Sequence, residues 1–151
     1  MGDADKMIIW ARFHADLQML ARVAIKMGIK FVEFSGRVSE RQGEHNRIQF
    51  IEDDRTRLFI GTTETGGESL NLQVASRTGY FSNSYNWGKR AQSERRTWRA
   101  GQERPCWYID VVGFPIDRLI LHNHKEKRDM AQTLKTVTGL REAIDELGTM
   151  K

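Results

Sequence analysis

The chain has 151 residues, a formal net charge of +4, and 39% hydrophobic and 29% charged residues, a balance that fits one domain, because a chain of that size hides about 70% of its unfolded surface around a single core. No apolar run approaches the roughly 18 residues that a membrane helix requires, and the short acidic start, Met1 to Asp5, lacks the basic-then-apolar build of a secretory signal. The single cysteine, Cys106, leaves no internal disulfide and no multi-cysteine metal site, which fits a reducing cytoplasm and reads as a small hydrophobe in a buried strand.

Extended and helical patterns alternate from the start, the signature of a mostly parallel sheet covered by helices. "KMIIWARF" reads as a buried first strand, and "ADLQMLARVAIKMG" as a helix with Leu17, Leu20, Ala21 and Ala24 at helical spacing, stopped by Gly28. "KFVEF" is a second strand, ended by Ser35 and Gly36. Ser39 opens the next helix, because "SERQ" is a capping box in which the Ser39 hydroxyl takes the Gln42 amide while Gln42 reaches back; the helix runs to about Glu52. "RLFIGT", "RTGYFS" and "CWYIDVV" are the third, fourth and fifth strands, and between the last two Lys89 to Arg99 is helical, with Gly101 ending it. Pro115 suits the first turn of a helix that continues through "IDRLILHNHKEKRDMAQTL", and an amphipathic piece from about Leu140 to Leu147 closes the chain. The expected fold is one α/β domain of about five or six mostly parallel strands, with ligands at the carboxyl ends of strands, in the loops after Phe34, Thr62 and Phe81.

Positive charge is concentrated. Lys89, Arg90, Arg95, Arg96, Arg99 and Arg104 stand against only Glu94 and Glu103 in one stretch, an excess equal to that of the whole chain. Such a segment should meet an anion. On a helix Arg96 lies about 40° from Gln92 and Arg99 about 20° to its other side, so the three make one row, with Ala91 and Trp98 placed to anchor the helix on the sheet. Guanidinium is the group best matched to phosphate by bidentate bonding, and lysine is absent from the row. After the third strand, "IGTTETGGESLNL" offers Gly66 and Gly67 for close backbone approach and hydroxyls on Thr62, Thr63, Thr65 and Ser69. A loop of this kind holds phosphates through amides and hydroxyls without the GxxxxGK[ST] pattern, which the chain lacks. "HNH" at His122 to His124 is no metal pair, since helical residues two apart point to different faces, and "KEKRD" beside it reads as a solvated helix face.

"TTETGGESLNL" followed by "FSNSYNWGKRAQSERRTWRAGQ" resembles motifs V and VI of the Swi/Snf-type branch of superfamily-two helicases, approximately S-T-R-A-G-G-L-G-I-N-L and Q-A-x-x-R-x-H-R-x-G-Q. Gln92, Arg96, Arg99, Gly101 and Gln102 fall in register with the second motif. "KMIIWARFHADLQML" resembles the first strand and helix of the family's C-terminal lobe, "FVEFSGRVSERQGEHNRIQFIED" its motif IV region, and "VVGFPIDRLILHNHKEKRDMAQTL" its closing strand and brace helix. The resemblance spans roughly Lys6 to Leu134. It implies a three-layer RecA-like lobe over residues 6–135, a disordered start at 1–5 and a C-terminal helical extension at 136–151. The sequence departs from the family at Trp98, where the family has histidine, at Glu64, where it has arginine, at Glu68 and Ser69, where it has Leu-Gly, and at Tyr85, which takes the place of a tryptophan.

By this resemblance the chain is the second motor lobe of an ATP-dependent DNA helicase or translocase, and ATP with Mg2+ is bound mainly by a first lobe carrying the phosphate-binding loop and an Asp-Glu pair. The GxxxxGK[ST] loop is absent from this sequence and its only Asp-Glu, Asp145 and Glu146, falls in the last expected helix rather than after a buried strand, so the chain alone is expected to be inactive. Arg99 matches the arginine finger, Arg96 its companion and Gln92 the residue that orients them; Asn71 and Gly67 match nucleotide-binding positions. Gly36, Arg37, Thr62, Thr63 and Gly66 match positions that meet the DNA sugar-phosphate backbone. The implied partners are DNA and an N-terminal RecA-like lobe, in cis or in trans, with the chain monomeric by itself and no membrane contact. The alternative reading is a non-catalytic nucleic-acid-binding or protein-interaction module that retains the helicase-lobe fold.

Overall fold

The computed structural model describes residues 6–65 and 70–126, with positions 145 and 148. Its elements run β1 (Met7–Ala11), α1 (His14–Lys26), β2 (Lys30–Phe34), α2 (Glu40–Glu52), β3 (Thr56–Thr62), β4 (Arg77–Tyr80), α3 (Trp87–Glu94), β5 (Trp107–Asp110) and α4 (Pro115–Lys125). The strands make one sheet in the order β2-β3-β1-β4-β5, every neighbouring pair parallel. The expected sheet is thus five-stranded and wholly parallel among the described residues. A parallel sheet sends the loops that follow its strands to one edge, and that edge carries the candidate site.

Local chemistry sets the helix ends. Gly28, at φ 65°, closes α1 in a Schellman turn: its amide donates to Ile25 O at 3.0 Å and the Ile29 amide to Ala24 O at 2.9 Å. Ser39 caps α2 as expected, its hydroxyl accepting from the Gln42 amide at 3.3 Å, while the Gln42 side chain donates forward to Asn46 Oδ1 at 2.8 Å. At the far end of α2 the buried Lys6 ammonium donates to the carbonyls of Phe50, Ile51 and Asp53, the groups a helix C-terminus leaves without partners. Burial pulls the Lys6 pKa down while Asp54 and Asp53 work to raise it.

The core has two sides. On one, Ile8, Trp10, Val32, Phe59 and Tyr80 meet Phe50 of α2, with Trp10 edge-on to Phe59 at 5.8 Å and Phe50 tilted on Phe59 at 5.3 Å. On the other, Ala11, Leu58 and Ile60 pack beneath Leu17 and Ala24 of α1. Strand β3 is covered on both faces, which is why "LFIGT" reads as an unbroken buried run. β5 lies at the sheet edge and alternates: Trp107 and Ile109 are exposed, Tyr108 and Asp110 half-buried. Cys106 is half-buried just before β5 rather than inside a buried strand.

Among the described residues no helix is long and apolar enough to cross a membrane. The expected continuation of α4 to Leu134 and the closing piece at 140–147 fall outside the described residues, except position 145.

Candidate functional site

Helix α3 begins where Asn86 Oδ1 accepts from the Lys89 amide at 2.9 Å. It ends at Glu94, five residues before the expected Arg99. Beyond Glu94 the chain tightens and meets partners from other elements. Glu94 O accepts from the hydroxyls of Thr97 at 3.0 Å and Tyr108 at 3.2 Å, and Arg96 O accepts from the Leu72 amide at 3.0 Å. The amides of Arg96 and Thr97 reach back only three residues, to Ser93 O and Glu94 O. Residues 95–101 therefore form a string of turns, closed by Gly101 at φ 96°.

The helix is not anchored by Ala91 and Trp98. Trp98 is 70% exposed, and the residues α3 buries are Arg90 and Ser93. Arg90 lies 3.5 Å over the Tyr80 ring and donates to Glu94 Oε1 at 2.7 Å, to Asn83 Oδ1 at 2.7 Å and to both Asp110 oxygens. Burial works against its charge, but the Asp110 hydrogen bond, Tyr80 and Glu94 together raise its pKa. Beside it the Tyr80 hydroxyl and Ser93 Oγ share a hydrogen bond of 2.7 Å.

The turns send the arginines in different directions. Arg96 points inward, 3% exposed, with its guanidinium 4.9 Å over the Trp10 ring, and burial pulls its pKa down to about 10. Arg99 is exposed. They are not one face of a helix, yet with Gln92 they line one pocket of about 440 Å³, to which Arg95, Trp98 and Ala100 also contribute. The turns are stapled from beneath: Gln102 Nε2 donates to Gln73 O at 2.9 Å and Thr97 O at 3.3 Å, and Gln73 Nε2 to Ala100 O at 2.8 Å. Asn71 does not line this pocket. It is exposed and exchanges bonds of 3.2 Å with Gln73, and so stands one hydrogen-bonded residue from the arginine turn.

The other candidates sit on neighbouring loops. Gly36 and Arg37, after β2, are exposed. Thr62, the last residue of β3, and Thr63 after it are buried, and the Thr62 hydroxyl is bonded to that of Thr65. Between these two loops lies a second cleft of about 650 Å³ lined by Ser35, Val38, Ser39, Arg47 and Thr65. Gly66 and Gly67 fall outside the described residues. Tyr85 is held by Arg12, whose guanidinium lies 3.8 Å over its ring, and Trp87 tilts against His124 of α4 at 6.1 Å. In the HNH string His122 is exposed and His124 buried.

Structure also redistributes the charge that sequence had pooled. Lys89 pairs with Glu64, Arg90 with Asp110 and Glu94, and Arg104 donates to Val74 O, while Arg95, Arg96 and Arg99 line the pocket. Glu64, in the place of the family's arginine, has its pKa lowered by the Lys89 hydrogen bond, so its negative charge is met within the chain. Arg95, Trp98 and Gln73 are the site residues that sequence reasoning missed. The clustered charge alone could have flagged Arg95.

Over 133 residues the chain is 29% identical to the DNA repair and recombination protein RAD54-like of Drosophila yakuba, and over 132 residues 28% identical to that of Drosophila ananassae; each match takes in 86% of this chain. Among solved structures, the C-terminal part of the Fun30 ATPase domain matches with a TM-score of 0.73 and 25% identity over 78% of this chain and 38% of that one. The chain is similar to the C-terminal RecA-like lobe of Swi/Snf-type helicases. No family model matches it. The lobe spans 17% of the length of the two RAD54-like proteins. Its five-stranded parallel sheet with flanking helices is the α/β architecture expected of a RecA-like lobe.

Proposed function

We propose that this lobe is the second motor half of an ATP-dependent DNA helicase or translocase, and that Arg99 is its arginine finger. The observation that carries the reading is the convergence of Gln92, Arg96 and Arg99, the motif VI residues, on one pocket despite their different directions. An exposed Arg99 is free to reach a phosphate presented by a facing lobe, where a positioned guanidinium stabilises charge on the transferring phosphoryl group. Arg96 acts from a desolvated position, where its attraction for an incoming phosphate is stronger than in water. Gln92 orients the pair, and Asn71, tied through Gln73 to Ala100, lies toward the nucleotide sugar. Gly67, at a position the family uses for nucleotide, is proposed for the same role.

ATP and Mg2+ are held mainly by the first lobe, which supplies the phosphate-binding loop and the Asp-Glu pair that handles magnesium. DNA runs along the loops after β2 and β3. Gly36 and Arg37, both exposed, meet the sugar-phosphate backbone there, a role we also propose for Gly66, while the buried Thr62 and Thr63 shape the loop. Contacts of this kind give salt-dependent, sequence-tolerant binding. The lobe works wherever that DNA lies, and a lone half-buried cysteine suits a reducing compartment such as the cytoplasm.

The test is ATP hydrolysis by the lobe alone and joined to a first lobe, each with and without DNA. The lobe alone should be inactive and the pair DNA-stimulated. Appreciable DNA-stimulated turnover by the lobe alone overturns the proposal, and a silent pair favours a non-catalytic module.

A further inference from the structure

We propose that Trp98 gives the arginine pocket its preference for nucleotides, by stacking a nucleobase whose phosphates lie on Arg96 and Arg99. The inference rests on reading this pocket as a nucleotide-phosphate site. Two other tryptophans are engaged within the protein: Trp10 is fully buried against Phe59, and Trp87 tilts on His124. Trp107 is exposed, but on edge strand β5. Trp98 is 70% exposed and lines the pocket that the arginines line. A pocket of about 440 Å³ lies within the range that holds a small ligand.

The turn that presents Trp98 is hydrogen-bonded along its length. The Trp98 amide is bonded to Glu94 O at 3.0 Å, Thr97 on one side is held through its hydroxyl and its carbonyl, and Ala100 beyond is held by Gln73. An indole presented on such a turn loses little freedom on binding, which favours stacking over a loop that must first be ordered. A helix continued through Arg99 would set Trp98 against the sheet and leave no residue for the base. Its outward position supplies one, and it sits where the family carries a histidine. Planar base, anionic tail and the order indole-arginine along the turn together define the ligand class: a nucleobase joined to phosphate.

The experiment is an NMR titration of the full chain and its variants, following the backbone amides of Arg96 to Gly101, with the Trp98 indole N–H, assigned by its loss in Trp98→Phe, as a second reporter in the unsubstituted chain. The probes are Mg-ATP, magnesium tripolyphosphate and a short single-stranded oligonucleotide. Tripolyphosphate carries more negative charge than ATP, so electrostatics alone favours it. Stacking should reverse that order and make ATP bind about tenfold tighter, the scale of one base–aromatic stack. In Trp98→Ala the ratio should fall to about one or below, while Trp98→Phe retains most of it. A ratio unchanged in Trp98→Ala, or tripolyphosphate bound as tightly as ATP by the unsubstituted chain, overturns the assignment. Oligonucleotide binding that exceeds ATP binding and is lost in Trp98→Ala also overturns it, moving the indole to a nucleic-acid strand. The underlying reading is tested separately by Arg96→Met with Arg99→Ala: loss of both ATP and tripolyphosphate supports it. Persistence of both overturns reading and inference together, whereas binding of neither by the unsubstituted chain overturns the stacking inference alone, because the reading has ATP held mainly by the first lobe.

Discussion

Arg90 and Arg96 lie on one short stretch of chain, both buried, and their surroundings drive them in opposite directions. Around Arg90, Asp110, Glu94, Asn83 and the Tyr80 ring form a closed cage, and its pKa is raised. Around Arg96 desolvation dominates, its pKa falls to about 10, and its neighbours open on a pocket. Burial alone therefore says little about what a guanidinium is for. A charge caged by carboxylates ties elements of the fold together, whereas one at the wall of an arginine-lined pocket is, on the function we propose, placed to meet a phosphate.

The comparison can be broken most forcefully at Arg90. Arg90→Ala leaves Asp110 and Glu94 without their partner and should cost about 3 kcal/mol in a urea titration, the low end for a buried pair because Asp110 keeps 22% of its side chain exposed. Arg96→Met, which roughly conserves volume, should change stability by less than about 1.5 kcal/mol while lowering tripolyphosphate affinity. An equal loss of stability in the two variants would erase the distinction. Tyr80→Phe removes the buried hydrogen bond to Ser93, which keeps its own bond to Arg90 O, and should cost about 1 kcal/mol by the same titration.

The smallest effect lies at the opposite sheet edge and serves as a control. Bonds from Lys30, the Arg55 amide and Thr56 hold the Asp53 carboxyl well below the usual carboxylate range. A carboxylate lowered in the folded state adds stability above its unfolded pKa, and that stability is lost as pH falls through the folded value. The difference in urea midpoint between the unsubstituted chain and Asp53→Asn should be complete at neutral pH and shrink below about pH 4. Nucleotide binding should be unchanged in this variant.

Most elements were legible because their cause is local or periodic. β3 is apolar on both faces, α1 has apolar residues at helical spacing and a glycine stop, and Ser39 caps α2 through its own side chain. The end of α3 was not legible, because the chain there meets groups brought from elsewhere: the Tyr108 hydroxyl and the Leu72 amide. The same distance hid the role of Arg90, whose partner Asp110 is 20 residues away, so that sequence counted a structural cation toward the anion site. Gln92, Arg96 and Arg99 were found as a set by helical geometry, although turns rather than a helix bring the two arginines to the pocket. Trp98 was misplaced by extending that helix too far.

The central claim is that Arg99 serves ATP hydrolysis rather than nucleic-acid affinity. Its most direct test is the Arg99→Ala substitution in the two-lobe protein, with DNA-stimulated hydrolysis, nucleotide binding and DNA binding measured side by side. The account predicts a fall in turnover on the order of 10³ to 10⁵ with nucleotide and DNA binding largely intact. Unchanged turnover, or a loss of DNA binding that alone explains the loss of turnover, would contradict it.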